Sequence, residues 1–218
     1  MKINSELIQG SHHFINPLNE RQLDLRAKKI TAIENLGATL DFFDHIDLGD
    51  NDIKKLGNLT LLKRLKTLNL SNNRITKLTD VSDSLPNIEN LILMNNRLTD
   101  INELYQLKHC KKLKRLILHG NLITQQPDYR YKVIAILPNL KILDFNKVTQ
   151  SERQKAEESF KPDELTDYMN LINLKDATLD KEHIKKLLEN AKTFDQINQL
   201  EMLLKQQQVK NLSIINEQ

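Results

Sequence analysis

Cysteine is almost absent from this chain. One cysteine, Cys110, in 218 residues excludes an internal disulfide framework and any paired-cysteine zinc ribbon, and it agrees with a reducing compartment. There is no tryptophan and only 5% of the residues are aromatic, which leaves little for a base-stacking platform. Five glycines in total, with no glycine-rich run, exclude a phosphate-cradling loop, and no nucleophile elbow is present. No apolar stretch approaches the roughly 18 residues that a membrane span needs, so no membrane association is expected. The start, Met1-Lys2-Ile3-Asn4-Ser5-Glu6, lacks the apolar run of a secretory signal and places the chain inside the cell. Neither sign of charge dominates: the net charge of +3 is too balanced to argue nucleic-acid binding on its own. The one short basic cluster, Lys108 to Arg115, is interrupted by Cys110 and Leu113 and reads as a solvated edge.

What is present is a repeat. The pattern L-x-x-L-x-L-x-x-N-x-L occurs at Phe43, Ile46, Leu48, Asn51 and Ile53, and again at Leu65, Leu68, Leu70, Asn73 and Ile75. It recurs at Ile88, Leu91, Leu93, Asn96 and Leu98, and at Leu113, Leu116, Leu118, Asn121 and Ile123. Asparagines at 51, 73, 96 and 121 are separated by 22, 23 and 25 residues, inside the roughly 20–29 of a leucine-rich repeat. An irregular first copy has Leu23, Leu25 and Ile30 with Lys28 at the asparagine position. A last copy has Leu140, Leu143, Phe145 and Val148 and no asparagine. The two leucines of L-x-L point into the core with the residue between them outward, and the asparagine satisfies backbone groups where the chain turns off the strand.

The expected fold is therefore α/β: a leucine-rich-repeat solenoid with a parallel concave sheet and a cap at each end. One unit cannot hide its own apolar face, so stacking and caps are required. Ser5 is the expected N-cap of a short first helix. Tyr129 to Leu137 reads as a helix stopped by Pro138, followed by a strand from Leu140 to Val148 and a charged helix from Ser151 to Phe160. These make a capped repeat domain over 1–160. Residues 161–177 read as a linker. Over 178–208, Ile184, Leu187, Leu188 and Ala191 share one helical face. The capping box Thr193-Phe194-Asp195-Gln196 precedes a second stripe of Ile197, Leu200, Leu203 and Leu204. This predicts a C-terminal helical hairpin that docks on the solenoid or on a partner, with a frayed tail over 209–218.

The concave face is the natural binding surface, because its outward positions are not needed for folding. Those positions are Asp24 and Arg26; His45, Asp47 and Gly49; Thr67, Asn69 and Ser71; Asn90, Ile92 and Met94; Arg115, Ile117 and His119; Asp144 and Asn146. The row is acidic at one end and apolar in the middle. Ile92, Met94 and Ile117 form an outward apolar patch, which marks an interaction site, and a partner helix with an apolar stripe and basic ends would complement it. Asp44, Asp47 and Asp50 are the one carboxylate cluster that invites an enzymatic reading. No histidine or cysteine has ligand spacing with them, so salt-bridging to a basic partner is the better reading, and no catalytic residue, metal site or cofactor is expected.

Gln22-Leu23-Asp24-Leu25-Arg26, the stretch Ile33 to Asp41, and Leu65 to Leu68 resemble the A-prime subunits of the U2 small nuclear ribonucleoprotein. So does the closing segment from Tyr129-Arg130 through Leu143-Asp144-Phe145, Lys147-Val148 and Glu152-Arg153. The resemblance covers roughly residues 5 to 160 and returns more weakly over about 180 to 205. It implies a non-catalytic nuclear component of the spliceosome. Such a subunit would grip the first helix of an RNA-recognition-motif partner of the B-double-prime type on its concave sheet, the pair then binding a stem-loop of the U2 RNA. By position it makes Asp24, Arg26, Asp47, Asn69, Ile92, Met94, Ile117 and His119 the partner contacts. Arg26 and Lys147 become the RNA-proximal groups, and the hairpin a site for other spliceosomal proteins. The basic, glycine-rich linker of the animal members is replaced here by an acidic and polar stretch from Pro162 to Asp176. The alternative is a leucine-rich-repeat adaptor of another complex, such as a phosphatase regulator. That reading calls for outward aromatic residues on the middle strands, and there are none.

Overall fold

In the computed structural model the structure describes residues 2 to 160. The expected linker, helical hairpin and tail over 161–218 lie outside the described residues.

The chain opens with helix α1 (Ser5–Gln9). Its N-cap is Asn4 rather than the expected Ser5: the Asn4 side chain accepts the Leu7 N–H at 2.8 Å, leaving Ser5 as the first helical residue. Strand β1 (His13–Ile15) then pairs antiparallel with β2 (Arg21–Asp24). From β2 the sheet runs parallel through β3 (His45–Asp47), β5 (Thr67–Asn69), β7 (Asn90–Ile92), β8 (Arg115–Ile117) and β9 (Ile142–Leu143). Strand β4 (Lys55–Leu56) and strand β6 (Lys77–Leu78) form a separate two-stranded parallel ladder where two repeats return.

Register follows from the two leucine rows. Leu23, Ile46, Leu68, Leu91, Leu116 and Leu143 are opposite one another across successive strands, and all are buried. Leu25, Leu48, Leu70, Leu93 and Leu118 form a second fully buried row. Each such side chain contributes on the order of 2 kcal/mol on leaving water, and a slip of one residue would turn both rows outward.

The asparagines hold the repeats together. The Asn73 amide donates to the carbonyls of Leu48, Leu70 and Ser71, and its oxygen accepts the Ile53 N–H at 3.0 Å. Asn51, Asn96 and Asn121 repeat the arrangement, reaching back to Leu25, Leu70 and Leu93 respectively. The residue before each asparagine is left-handed: φ is 57° at Asp50, 56° at Asn72, 52° at Asn95 and 79° at Gly120. Asp, Asn and Gly tolerate that region best. At Gly120 a side chain would also collide with the Asn95 amide oxygen.

The C-terminal cap departs from expectation. Leu140–Val148 is not one strand but a hairpin, β9 with β10 (Asn146–Lys147), because Asp144 and Phe145 are both left-handed, with φ of 47° and 71°. That pair of positive φ values is what a tight two-residue hairpin requires. Helix α2 (Tyr129–Ile136) and helix α3 (Gln150–Ser159) close the end. Thr149 and Glu152 form a capping box on α3. The Arg130 guanidinium joins both cap elements: Nε donates to Glu152 at 2.6 Å, while Nη1 and Nη2 donate to the carbonyls of Leu143 and Lys147.

Candidate protein-interaction surface

The outward residues of the parallel strands form two ordered rows. Asp24, Asp47, Asn69, Ile92 and Ile117 stand in register across five strands, and Gln22, His45, Thr67, Asn90, Arg115 and Ile142 stand in register beside them. The row changes character at β7. In the first three strands the oxygen of the outward Asx residue accepts the N–H two residues on: Asp24 from Arg26, Asp47 from Gly49 and Asn69 from Ser71, at 2.9 to 3.0 Å. Asn69 also donates to Asp47 at 3.0 Å. In the last two strands isoleucine takes the place of the Asx residue and no such bond is made.

The structure thus brings the expected contact residues onto one face but does not leave them equally open. Asp24, Asn69, Ile92 and Met94 are half-buried, and Arg26 and His119 are exposed. Asp47 is only 6% exposed, because its carboxylate is tied to Gly49 and Asn69. Ile117 is only 4% exposed. It lies between Ile92 and the β9–β10 end of the sheet, where the Asp144 carboxylate accepts the N–H groups of Leu118 and His119 and the Tyr129 hydroxyl. The open apolar patch expected from three residues is therefore made by Ile92 and Met94, with Ile117 closed beneath. Asp144, expected to face outward, turns its carboxylate to these backbone donors. Burial and the adjacent Asp144 carboxylate push the Tyr129 phenol up, so it stays protonated and donates.

The three aspartates are satisfied within the chain rather than held for a basic partner. Asp44 accepts the Arg21 N–H and faces Arg64 and Lys66. Burial pushes its carboxyl up, and these three donors together bring it below the usual range. Asp50 receives a fork from Arg26 and the Asn72 amide at 2.7 Å, and both hold its carboxyl down. Among the described residues, no group of three His, Cys, Asp or Glu is placed to hold a metal ion.

Two aromatic pairs stand at the ends of the sheet, and reading the repeat alone missed both. His12 and Phe14 are 5.0 Å apart on β1 and the residue before it, with Phe14 opposite Gln22. His119 and the exposed Phe145 are 6.4 Å apart at the other end. They escaped notice because Phe14 lies before the first repeat and Phe145 occupies a core position of the pattern. His45, in the second row, is pushed down by burial against the opposing pull of Asp47 and Glu20, and its Nε2 has no hydrogen-bond partner among the described residues. The two RNA-proximal candidates are not neighbours. Arg26 stands on the first repeat, while Lys147 pairs with Ile142, itself opposite Arg115, at the far end.

Comparison with known proteins shows which family the chain belongs to. A family profile described as leucine-rich repeat matches residues 1–173. The probable U2 small nuclear ribonucleoprotein A' of Drosophila melanogaster is 44% identical over 176 residues, spanning 80% of this chain and 66% of that protein. The Homo sapiens U2 small nuclear ribonucleoprotein A' is 38% identical over 228 residues, 96% of this chain and 89% of that protein. The chain belongs to the U2 small nuclear ribonucleoprotein A' family. The A' fold is matched as well: the crystal structure of the Drosophila SNF/U2A' complex superposes with a TM-score of 0.72 at 44% identity, covering 78% of this chain and 98% of that one.

Proposed function

We propose that this A' family member is a non-catalytic structural subunit of the U2 particle, acting in the nucleus in pre-mRNA splicing. Its concave face holds a partner with an RNA-recognition-motif fold, of the B-double-prime type, and the pair supports binding of a stem-loop in the U2 RNA. The observation that carries this reading is the outward row from Asp24 to Ile117, polar over three strands and apolar over two. Four strand spacings of ~4.8 Å span about 19 Å, the length of a helix of about 13 residues. Such a helix, basic at one end and apolar at the other, matches the half-buried Asp24 at one side and Ile92 and Met94 at the other. His12 with Phe14, and His119 with Phe145, would flank its ends. The Drosophila relative was crystallised in a complex with SNF, which supports a protein partner for this chain too. RNA contact is secondary and belongs at the Lys147 end, because the Arg26 guanidinium is already engaged by Asp50.

A pull-down of the full tagged chain from nuclear extract, with sequencing of recovered protein and RNA, tests this. The wild type should recover an RNA-recognition-motif protein together with U2 RNA. Ile92→Arg should recover neither while unfolding at the wild-type temperature. Recovery of a phosphatase subunit without U2 RNA, or equal recovery by the variant, would overturn the reading.

A further inference from the structure

The concave surface makes no use of the loop that ends in Leu40 and Asp41. Leu36 and Thr39 are buried in a 3₁₀ turn, Leu36–Thr39, and the turn is followed by two left-handed residues, Leu40 with φ 52° and Asp41 with φ 56°. A leucine gains nothing locally from that conformation and costs about 1–2 kcal/mol there. The result is an apolar side chain pushed outward: Leu40 is 71% exposed and Phe42, two residues on, 53%. The next loop stacks against this one, with Gly37 abutting Thr60 and the Asp41 carboxylate accepting the Arg64 N–H at 3.0 Å. That second loop carries Leu61, 54% exposed. The β1–β2 hairpin, joined to the same loop by reciprocal bonds between Arg21 and Asp44, adds exposed Ile15 and Leu18.

One exposed leucine on a surface means nothing, but five large apolar side chains on three segments bonded to one another mark a docking surface. Its rim is net basic: Arg21, Lys63, Arg64 and Lys66 are all exposed, against two carboxylates, Asp44, which pairs with Arg64 and Lys66, and Asp41. We infer that the stacked loops 36–44 and 57–66 form a second docking surface, separate from the concave face, for an amphipathic helix of a protein partner whose apolar stripe is flanked by carboxylates. Four of the five side chains are aliphatic and offer a nucleobase no stacking face, Phe42 being the exception, so the apolar centre favours a protein over RNA. A second copy of this chain in a two-fold contact would set the basic rim against itself, which like-charge repulsion opposes. This inference does not rest on the concave reading.

The test is a phage-displayed library of helical peptides of about 16 residues, selected on the full-length chain and counter-selected on Leu40→Asp combined with Leu61→Asp. Both positions are exposed, so the variant should unfold at the wild-type temperature. Retained peptides should carry apolar residues at i, i+3 or i+4, and i+7 with an excess of Glu and Asp, and should bind the variant at least about tenfold more weakly. Ile92→Arg should leave that binding unchanged, which separates this surface from the concave one. Equal binding to the double variant, retained peptides flanked by Lys and Arg, or loss of binding with Ile92→Arg would each overturn the proposal. So would sedimentation showing a dimer that Leu40→Asp dissolves.

Discussion

Asn73 joins two repeats through a single buried amide: three carbonyls and one N–H from both repeats converge on it. Asn73→Ala would leave the Ile53 N–H without a partner where water cannot reach, while the Leu48, Leu70 and Ser71 carbonyls keep the Asn51 amide, the Asn96 amide and the Asp50 N–H. One unsatisfied buried group costs roughly 1–3 kcal/mol. The urea unfolding midpoint should fall accordingly, and an unchanged midpoint would show that the ladder is redundant. The position was legible because its chemistry recurs every 22 to 25 residues. The left-handed residue before it was not: Asp50, Asn72, Asn95 and Gly120 share a backbone conformation but not one residue type. Residue-level accessibility was also hidden, since period two gives the face a side chain points to but not what closes over it. Ile117→Glu, which alternation alone makes a harmless surface change, should therefore destabilise the fold strongly by burying a carboxylate. Ile92→Arg, at a half-buried position in the same row, should shift stability by about 0.5 kcal/mol or less. Equal thermal midpoints for the two variants would contradict the closure seen at Ile117.

At the scale of elements, the inner parallel strands came through the pattern, while β1, the β9–β10 hairpin and the connections did not. Parallel strands β2, β3, β5, β7 and β8 follow from the L-x-L pairs, whereas the β4–β6 ladder and the 3₁₀ turns carry too few residues to show a period. The β9–β10 hairpin was read as one strand because Asp-Phe lacks the glycine that usually announces such a turn. Helix α3 was legible from its charge, but not its Thr149–Glu152 capping box or its tie to α2. That tie makes a prediction. The Arg130 guanidinium, opposing burial, and the Thr149 N–H and hydroxyl together hold the Glu152 carboxyl down at about 2, from an ordinary 4.5. A carboxyl lowered in the folded state contributes stability that is fully present above its unfolded value and is lost as pH falls through the folded one. The cap should therefore weaken as pH drops from about 4.5 toward about 2. Glu152→Gln should lower the thermal midpoint at neutral pH and flatten its decline across that window relative to the wild type. Parallel curves for the two proteins would mean that Arg130 holds the cap through the Leu143 and Lys147 carbonyls alone.

Over the whole described domain, a near-balanced net charge conceals a segregated one. At the first repeats Arg26 is matched by Asp50 and lies near Asp24 and Asp47, which hold its charge in place. At the other end Lys111, Lys112, Arg115, Lys141 and Lys147 are exposed, and among the described residues none of them pairs with a carboxylate. A single net charge could not reveal this, because it carries no position. Parallel pairing brings Arg115 beside Ile142, and antiparallel pairing brings Lys147 to its other side, so residues 32 apart in sequence flank one position. A polyanion would meet the protein there, weakly and through phosphates, with no aromatic platform to read bases. An isolated chain titrated with a labelled RNA stem-loop should bind weakly and lose affinity steeply as salt rises. Arg115→Ala with Lys147→Ala should reduce the slope of log affinity against log salt by up to about 2, roughly one for each phosphate contact removed. Arg26→Ala should leave that slope unchanged, because its guanidinium is neutralised where it stands. Tight, salt-insensitive and sequence-specific binding by the chain alone, or loss of binding on Arg26→Ala, would place RNA recognition on the first repeats and reverse the polarity argued for the concave face.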